Sequence, residues 1–158
     1  MVKIKVPGTS ANIGPGSDTL GLALNIFNEI IVEKKNSGIE VLWDIPNPNI
    51  PLEENLVYVA LIHTLKKYKK EHLGCTIRMT KVDVPISRGL GSSAAAIVCG
   101  IYAAHYLMDY ALSTKEIRSA CFDVYSSEPP KEGDKLLALE SIAPPACNQD
   151  VFILVISV

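Results

Sequence analysis

The segment from Ser92 to about Tyr110, "SSAAAIVCGIYAAHYLMDY", constrains the fold more than any other part of this chain. It is almost wholly apolar and rich in alanine, and its length suits a helix rather than a strand. A helix that is apolar on every side has no solvent face, so it has to lie inside the domain, covered by other elements. With 158 residues, the chain has room for one domain of ordinary size with a core able to hold such a helix.

The covering elements are legible around it. "VKIKV" near the start alternates and reads as a strand; "FNEIIVEKK" (27–35) and "GIEVLW" (38–43) read as a second and a third, joined by the turn residues Asn36, Ser37 and Gly38. "DIPNPNIPLEEN" is too rich in Pro and Asn for regular structure. From Leu56 to about Lys70, apolar residues at 57, 61, 65 and 68 draw one helical stripe. "GCTIRMTKVDV" is a further strand, ended by Pro85, and Ser113-Thr114-Lys115-Glu116 has the form of a capping box that starts a third helix. The stretch 125–150 contains four prolines, including Pro129-Pro130 and Pro144-Pro145, and excludes a continuous helix; "VFILVIS" after it offers a last strand. Strands first, helices between and no regular alternation argue for an α+β fold, with helices layered on a mostly antiparallel or mixed sheet.

Composition narrows the function classes. Fifteen basic against seventeen acidic residues leave no electrostatic footprint for nucleic acid. The one basic cluster, Lys66-Lys67-Tyr68-Lys69-Lys70, falls at a helix end, where cations complement the macrodipole. No stretch reaches the ~18 apolar residues of a membrane span, and "MVKIKVPGTS" is no signal peptide, so a cytoplasmic protein is expected. Cys75, Cys99, Cys121 and Cys147 are widely spaced, without a metal-binding pattern, and Cys75 and Cys99 read as buried thiols. His63, His72 and His105 lack carboxylate or cysteine partners at telling spacing and read as structural or surface residues. Trp43 reads as packing against core or lid, and Tyr102, Tyr106 and Tyr110 as the edge of a core.

Gly89-Leu90-Gly91-Ser92-Ser93-Ala94 fits the G-x-G-x-x-G/A pattern of dinucleotide sites, but the context does not. That fingerprint needs a strand running straight into the first glycine, and here Pro85-Ile86-Ser87-Arg88 intervenes; the acidic residue twenty positions on, Asp109, lies at a helix end. A phosphate loop asks for less. The glycines let successive amides face one point, and the serines open a helix whose first-turn amides and dipole favour an anion. There is no lysine, so this is not the Walker form. The same letters also serve a tight helix entry with small residues for close packing. Arg88 could contact a phosphate or cap the strand before it.

A second glycine-rich segment, "VPGTSANIGPGSDTLGLAL" (6–24), sets Gly8, Gly14, Gly16 and Gly21 around Asn12 and Asp18. Read alone it is a turn-rich loop or a holder for a small polar ligand. The two loops together, with "NLVYVA" (55–60), resemble the homoserine kinase family of the GHMP small-metabolite kinases, over roughly residues 1–118. The resemblance implies an α+β amino-terminal GHMP-kinase domain, a ribosomal-protein-like two-layer sandwich with a left-handed crossover. It implies transfer of the γ-phosphoryl group of ATP, with Mg²⁺, to the side-chain hydroxyl of L-homoserine. Carried over by position, Arg88, Gly89, Leu90, Gly91, Ser92, Ser93 and Ala94 would line the phosphates, with Ser93 also near Mg²⁺. Asn55 would sit near the adenine, and Asn12 and Asp18 would hold the substrate, Asp18 and Ser93 being the catalytic candidates.

Beyond residue 118 the resemblance departs. The family's metal-binding Glu could be matched by Glu140, yet no histidine follows it, and the family's second domain is not in this sequence. Residues 119–158 are accordingly set apart as a divergent Pro-rich segment, either part of the same domain or a foreign tail. Residues 122–139 resemble the late segment of D-2-hydroxyacid dehydrogenases without its Pro-His. Two alternatives stay open on these grounds: an NAD-linked dehydrogenase fragment, and a nucleotide-binding module without catalysis. Apolar surface left where a second domain would pack makes a homo-oligomer a further expectation.

Overall fold

The computed structural model describes residues 1–10, 22–127 and 150–152. Five strands and three helices follow in the order β1 (Val2–Ser10), β2 (Leu22–Lys35), β3 (Ile39–Trp43), α1 (Leu56–Lys67), β4 (Gly74–Val82), α2 (Ser92–Leu107), α3 (Thr114–Ser127) and β5 (Asp150–Phe152). They form one mixed sheet of order β3-β4-β2-β1-β5, antiparallel between β1, β2 and β4 and parallel at both edges.

Strand alternation decides which face is covered. Val2, Ile4 and Val6 of β1, Ile30 and Val32 of β2, and Cys75, Ile77 and Met79 of β4 are buried in a single core with the helices. The opposite residues are polar: Lys3 and Lys5 both pair with Glu29, and Arg78 forks onto Asp44 with both carboxylate oxygens engaged. Helices thus cover one face of the sheet and the other meets water, which is the expected two-layer α+β arrangement.

The second and third strands are joined by the expected turn, with Gly38 at φ +76°, but they do not pair with each other. β4 lies between them, and β3 runs parallel to β4 after the crossover through α1. Gly74 makes this insertion possible. A Cβ there would stand 2.4 Å from the Ser37 carbonyl carbon and 2.7 Å from the Gly38 oxygen, while the next amide, Cys75 N–H, donates to that same oxygen at 2.9 Å.

Both long helices stop three residues before the sequence suggests. α1 ends at Lys67, with Lys69 at φ +55° and Lys70 N–H reaching back to the Leu65 carbonyl. α2 ends at Leu107, with Asp109 and Tyr110 left-handed and Tyr110 N–H bonded to the His105 carbonyl. A left-handed turn of this kind satisfies the last carbonyls without prolonging the helix. α3 starts as its capping box requires: Glu116 accepts from Ser113 N–H at 2.8 Å, and Ser113 Oγ receives Glu116 N–H at 3.3 Å. Its Ala120, Cys121 and Val124 are buried in the common core, so the helix runs through position 118 without a break. Of "VFILVIS", Val151 and Phe152 lie in β5 beside Ile4 and Lys5; the rest, like 128–149, lies outside the described residues.

α2 is buried as its composition demands, and it crosses α1 at Gly100. A Cβ on Gly100 would stand 2.3 Å from the Val57 carbonyl oxygen and 2.8 Å from Ala60 Cβ. In an exposed helix interior Gly→Ala stabilises by about 1 kcal/mol. Here overpacking reverses the sign, and Gly100→Ala is expected to lower stability by about 1–3 kcal/mol in urea denaturation.

Several side-chain expectations are met on both strands and helices. Cys75, Cys99 and Cys121 are buried free thiols, each pushed up to about 12 by burial. Trp43 packs on the core, and the tyrosines grade outward from buried Tyr102 to exposed Tyr110. His105 is a core histidine whose Nδ1 accepts from Leu112 N–H at 3.2 Å, so the neutral ring carries its proton on Nε2. Burial holds this imidazole below its ordinary range. The unfolded chain therefore takes up a proton at a higher pH than the folded one does, and this contribution to stability is full above about pH 6.5 and falls as pH drops below it. Thermal melts from pH 7.5 to 5.5 are expected to show that loss, with a shallower slope in His105→Gln.

Candidate active site

The phosphate-loop candidate is built at the junction of β1, the 83–91 connection and α2. Gly89 and Gly91 sit at φ +68° and +69°, and Ser87 at φ +58°. Left-handed conformation costs a side-chain-bearing residue about 1 kcal/mol or more, which explains glycine at two of the three positions. Gly91 is the amino-terminal cap of α2 and supplies no side-chain bond to it. Its carbonyl receives the first helical bond, from Ala95 N–H at 2.8 Å. The amides of Ser92, Ser93 and Ala94 precede that bond and have no intrahelical acceptor. They gather at the positive end of a sixteen-residue helix whose body is buried. Ser93 is exposed in this turn, and Ser92, Ala94 and Leu90 are half-buried beside it.

The loop is anchored from behind. Thr9 N–H donates to the Leu90 carbonyl at 2.9 Å, and a Cβ on Gly91 would stand 2.4 Å from Thr9 Oγ1. Sequence reading gave Thr9 no role; its one signal is its place at the end of an alternating strand, next to Gly8, which approaches the same Leu90 carbonyl. Arg88 is exposed at the start of the loop and has no partner among the described residues. Asn55 is buried for a reason the sequence alone did not suggest: its side-chain oxygen caps α1, accepting from Val57 N–H at 3.0 Å and Tyr58 N–H at 3.4 Å. Asn12, Asp18 and Glu140 lie outside the described residues. Among the described residues no group of His, Cys, Asp or Glu could hold a metal ion, and no helix is long and apolar enough to cross a membrane.

First-turn amides without intrahelical acceptors and two serines at one helix end, with no lysine, suit an oxyanion with several oxygens. They do not suit a dinucleotide fingerprint. β4 ends at Val82 and α2 begins at Ser92, so no strand enters the first glycine.

Residues 55–127 match the family model of the GHMP kinases N terminal domain. The described fold is that of a GHMP-kinase amino-terminal domain. Among its sequence relatives are homoserine kinases. That of Clostridium novyi (strain NT) is 51% identical over 117 residues, which cover 74% of this chain and 39% of the relative. That of Clostridium acetobutylicum is 39% identical over 124 residues, covering 78% of this chain and 42% of the relative. The crystal structure of homoserine kinase from Cytophaga hutchinsonii superposes with a TM-score of 0.64 at 29% identity, over 78% of this chain and 40% of that one. The Methanococcus jannaschii mevalonate kinase shares the fold at the same TM-score of 0.64 but 21% identity, over 78% of this chain and 45% of that one. The matched region covers 39–45% of the length of these proteins, so the chain spans only part of them.

Gly91→Ala tests the loop directly. The substitution adds a left-handed penalty to a collision with Thr9, so the first turn of α2 has to shift. On the phosphate reading of the loop, affinity for Mg·ATP is expected to fall at least about tenfold. Circular dichroism should keep its helical signal, because the buried body of α2 is untouched.

Proposed function

We propose that this chain is the nucleotide- and substrate-binding part of an ATP-dependent homoserine kinase. The observation that carries the reading is the cluster of first-turn amides without intrahelical acceptors at Ser92, Ser93 and Ala94, behind two left-handed glycines, in a chain with homoserine kinases among its relatives. When bound, ATP supplies the γ-phosphoryl group and Mg²⁺ neutralises part of its charge. The chain's own part is positioning and charge stabilisation, which is most of what phosphoryl transfer asks of a protein.

In this reading the amides of residues 92–94 and the backbone at Gly89, Leu90 and Gly91 hold phosphate oxygens. The exposed Ser93 hydroxyl stands where it can donate to a phosphate or face the metal ion. Arg88 adds a mobile positive charge at the mouth. Asn55, with its oxygen committed to the α1 cap, retains only its amide N–H₂ for the adenine. Asn12 and Asp18 hold the amino acid, Asp18 near the hydroxyl that attacks, and Glu140 serves the metal. A soluble enzyme of a cytoplasmic amino acid pathway, acting on a small molecule, is the setting this implies. In this scheme residues 1–118 carry the resemblance, and 119–158 continue the same domain, since α3 crosses the boundary between them.

The dehydrogenase alternative is not favoured, since the loop lacks its strand and the relatives are kinases. Calorimetric titration of the purified chain with Mg·ATP and with NADH separates the two. ATP binding without NADH binding is expected, and Ser93→Ala should weaken it by about tenfold. Homoserine phosphorylation followed by ³¹P NMR then separates a working kinase from a module that only binds; Asp18→Asn is expected to abolish any turnover while sparing ATP affinity.

A further inference from the structure

We propose that Thr9 is a positioning residue of the phosphate loop, holding Gly91 in its left-handed turn so that the amides of Ser92, Ser93 and Ala94 stay aimed at one point. The inference rests on the phosphate reading of the loop. It also rests on a contact that neither the loop motif nor the family match assigns. Thr9 is 8% exposed, near the end of β1, where nothing about a core strand requires a hydroxyl. The residue lies against the Cα of Gly91 through three of its atoms. A Cβ built on Gly91 would meet Thr9 Oγ1 at 2.4 Å, its carbonyl oxygen at 3.4 Å and its nitrogen at 3.5 Å.

Two further features fix Thr9 itself. Its N–H donates to the Leu90 carbonyl, which ties the residue before Gly91 to the strand. The β1–β2 register is also interrupted between Pro7 and Thr9: Pro7 pairs with Phe27 but Thr9 with Ala23, so β2 bulges opposite Gly8. The bulge bends the pair just where the loop docks, and Gly8 leaves room for the Leu90 carbonyl, 3.2 Å from where its Cβ would be.

The physical consequence is preorganisation. A glycine pair has wide backbone freedom, and amides that must be collected on binding cost affinity. Thr9 removes one direction of escape by filling the space beside Gly91. Through Ser10 it also leads into segment 11–21, which carries Asn12 and Asp18, so one residue joins the two glycine-rich loops in the chain.

The test uses the full chain as wild type, Thr9→Ser, Thr9→Ala, Gly91→Ala and the double variant, read by Mg·ATP calorimetry and by tryptic cleavage after the exposed Arg88. Thr9→Ser keeps Oγ1 and should bind within about twofold of wild type, whereas Thr9→Ala should bind about five- to tenfold more weakly and be cut faster. In the Gly91→Ala background the sign should reverse, because Thr9→Ala there removes the atom that the new Cβ strikes, and affinity should rise. Val6→Ala, a core truncation on the same strand, should lower the melting temperature without changing the cleavage rate well below it. Thr9→Ala binding like wild type, or a further loss in the Gly91→Ala background, overturns the proposal. A wild-type chain that does not bind Mg·ATP overturns the phosphate reading instead. Cleavage at Arg88 then decides the anchoring alone, and equal rates in wild type and Thr9→Ala overturn it.

Discussion

Everything in this domain depends on hiding α2. From Ala95 to Leu107 the helix buries residues on all sides, which no single partner can cover. The sheet takes one side through β1 and β2, α1 takes another, and α3 closes a third. The α1 contact is close enough that Gly100 has to lack a side chain. With the body of the helix enclosed, its one fully exposed residue is Ser93, in the amino-terminal turn. A buried helix leaves its dipole less screened than one lying in water, so the exposed end is the place where an anion gains most.

That geometry also explains why the loop contains no lysine. Beside the side chain of Arg88, the enclosed helix presents one fixed positive end, which needs no reorganisation to meet an anion. What such a cradle does need is a rigid backing. The Thr9–Leu90 bond and the tight fit at Gly91 supply it from the strand that the helix itself rests on. The core and the loop are therefore one construction.

Much of this was legible in the residues. The all-apolar run gave the buried helix, the S-T-K-E box gave the start of α3, and the alternation in "VKIKV" gave β1 and its covered face. Helix ends were missed by a turn because Asp109 and Lys69 adopt left-handed conformation without being glycine, and nothing in their letters says so. The path of β4 between β2 and β3 was not legible, since a turn as short as Asn36-Ser37-Gly38 ordinarily reads as a hairpin. For the site, the loop glycines were legible from their spacing, but the backing by Thr9 was not, because it is a contact across the fold. Asn55 shows the opposite case: a buried polar residue singled out for a ligand is held first of all by a helix cap.

The intercalation of β4 has a kinetic side. In the unfolded chain, β2 and β3 are separated by three residues, and closing a loop that short costs little entropy. The pairing kept in the native sheet is a different one, β4 against both, and it closes a longer loop that includes α1. The cheapest early contact is thus one that the finished molecule forbids. Gly74, whose missing side chain lets β4 slide in beneath the turn at Ser37 and Gly38, sits at the point where that competition is resolved. Its influence should therefore fall on the rate at which the sheet assembles as much as on the stability of the result.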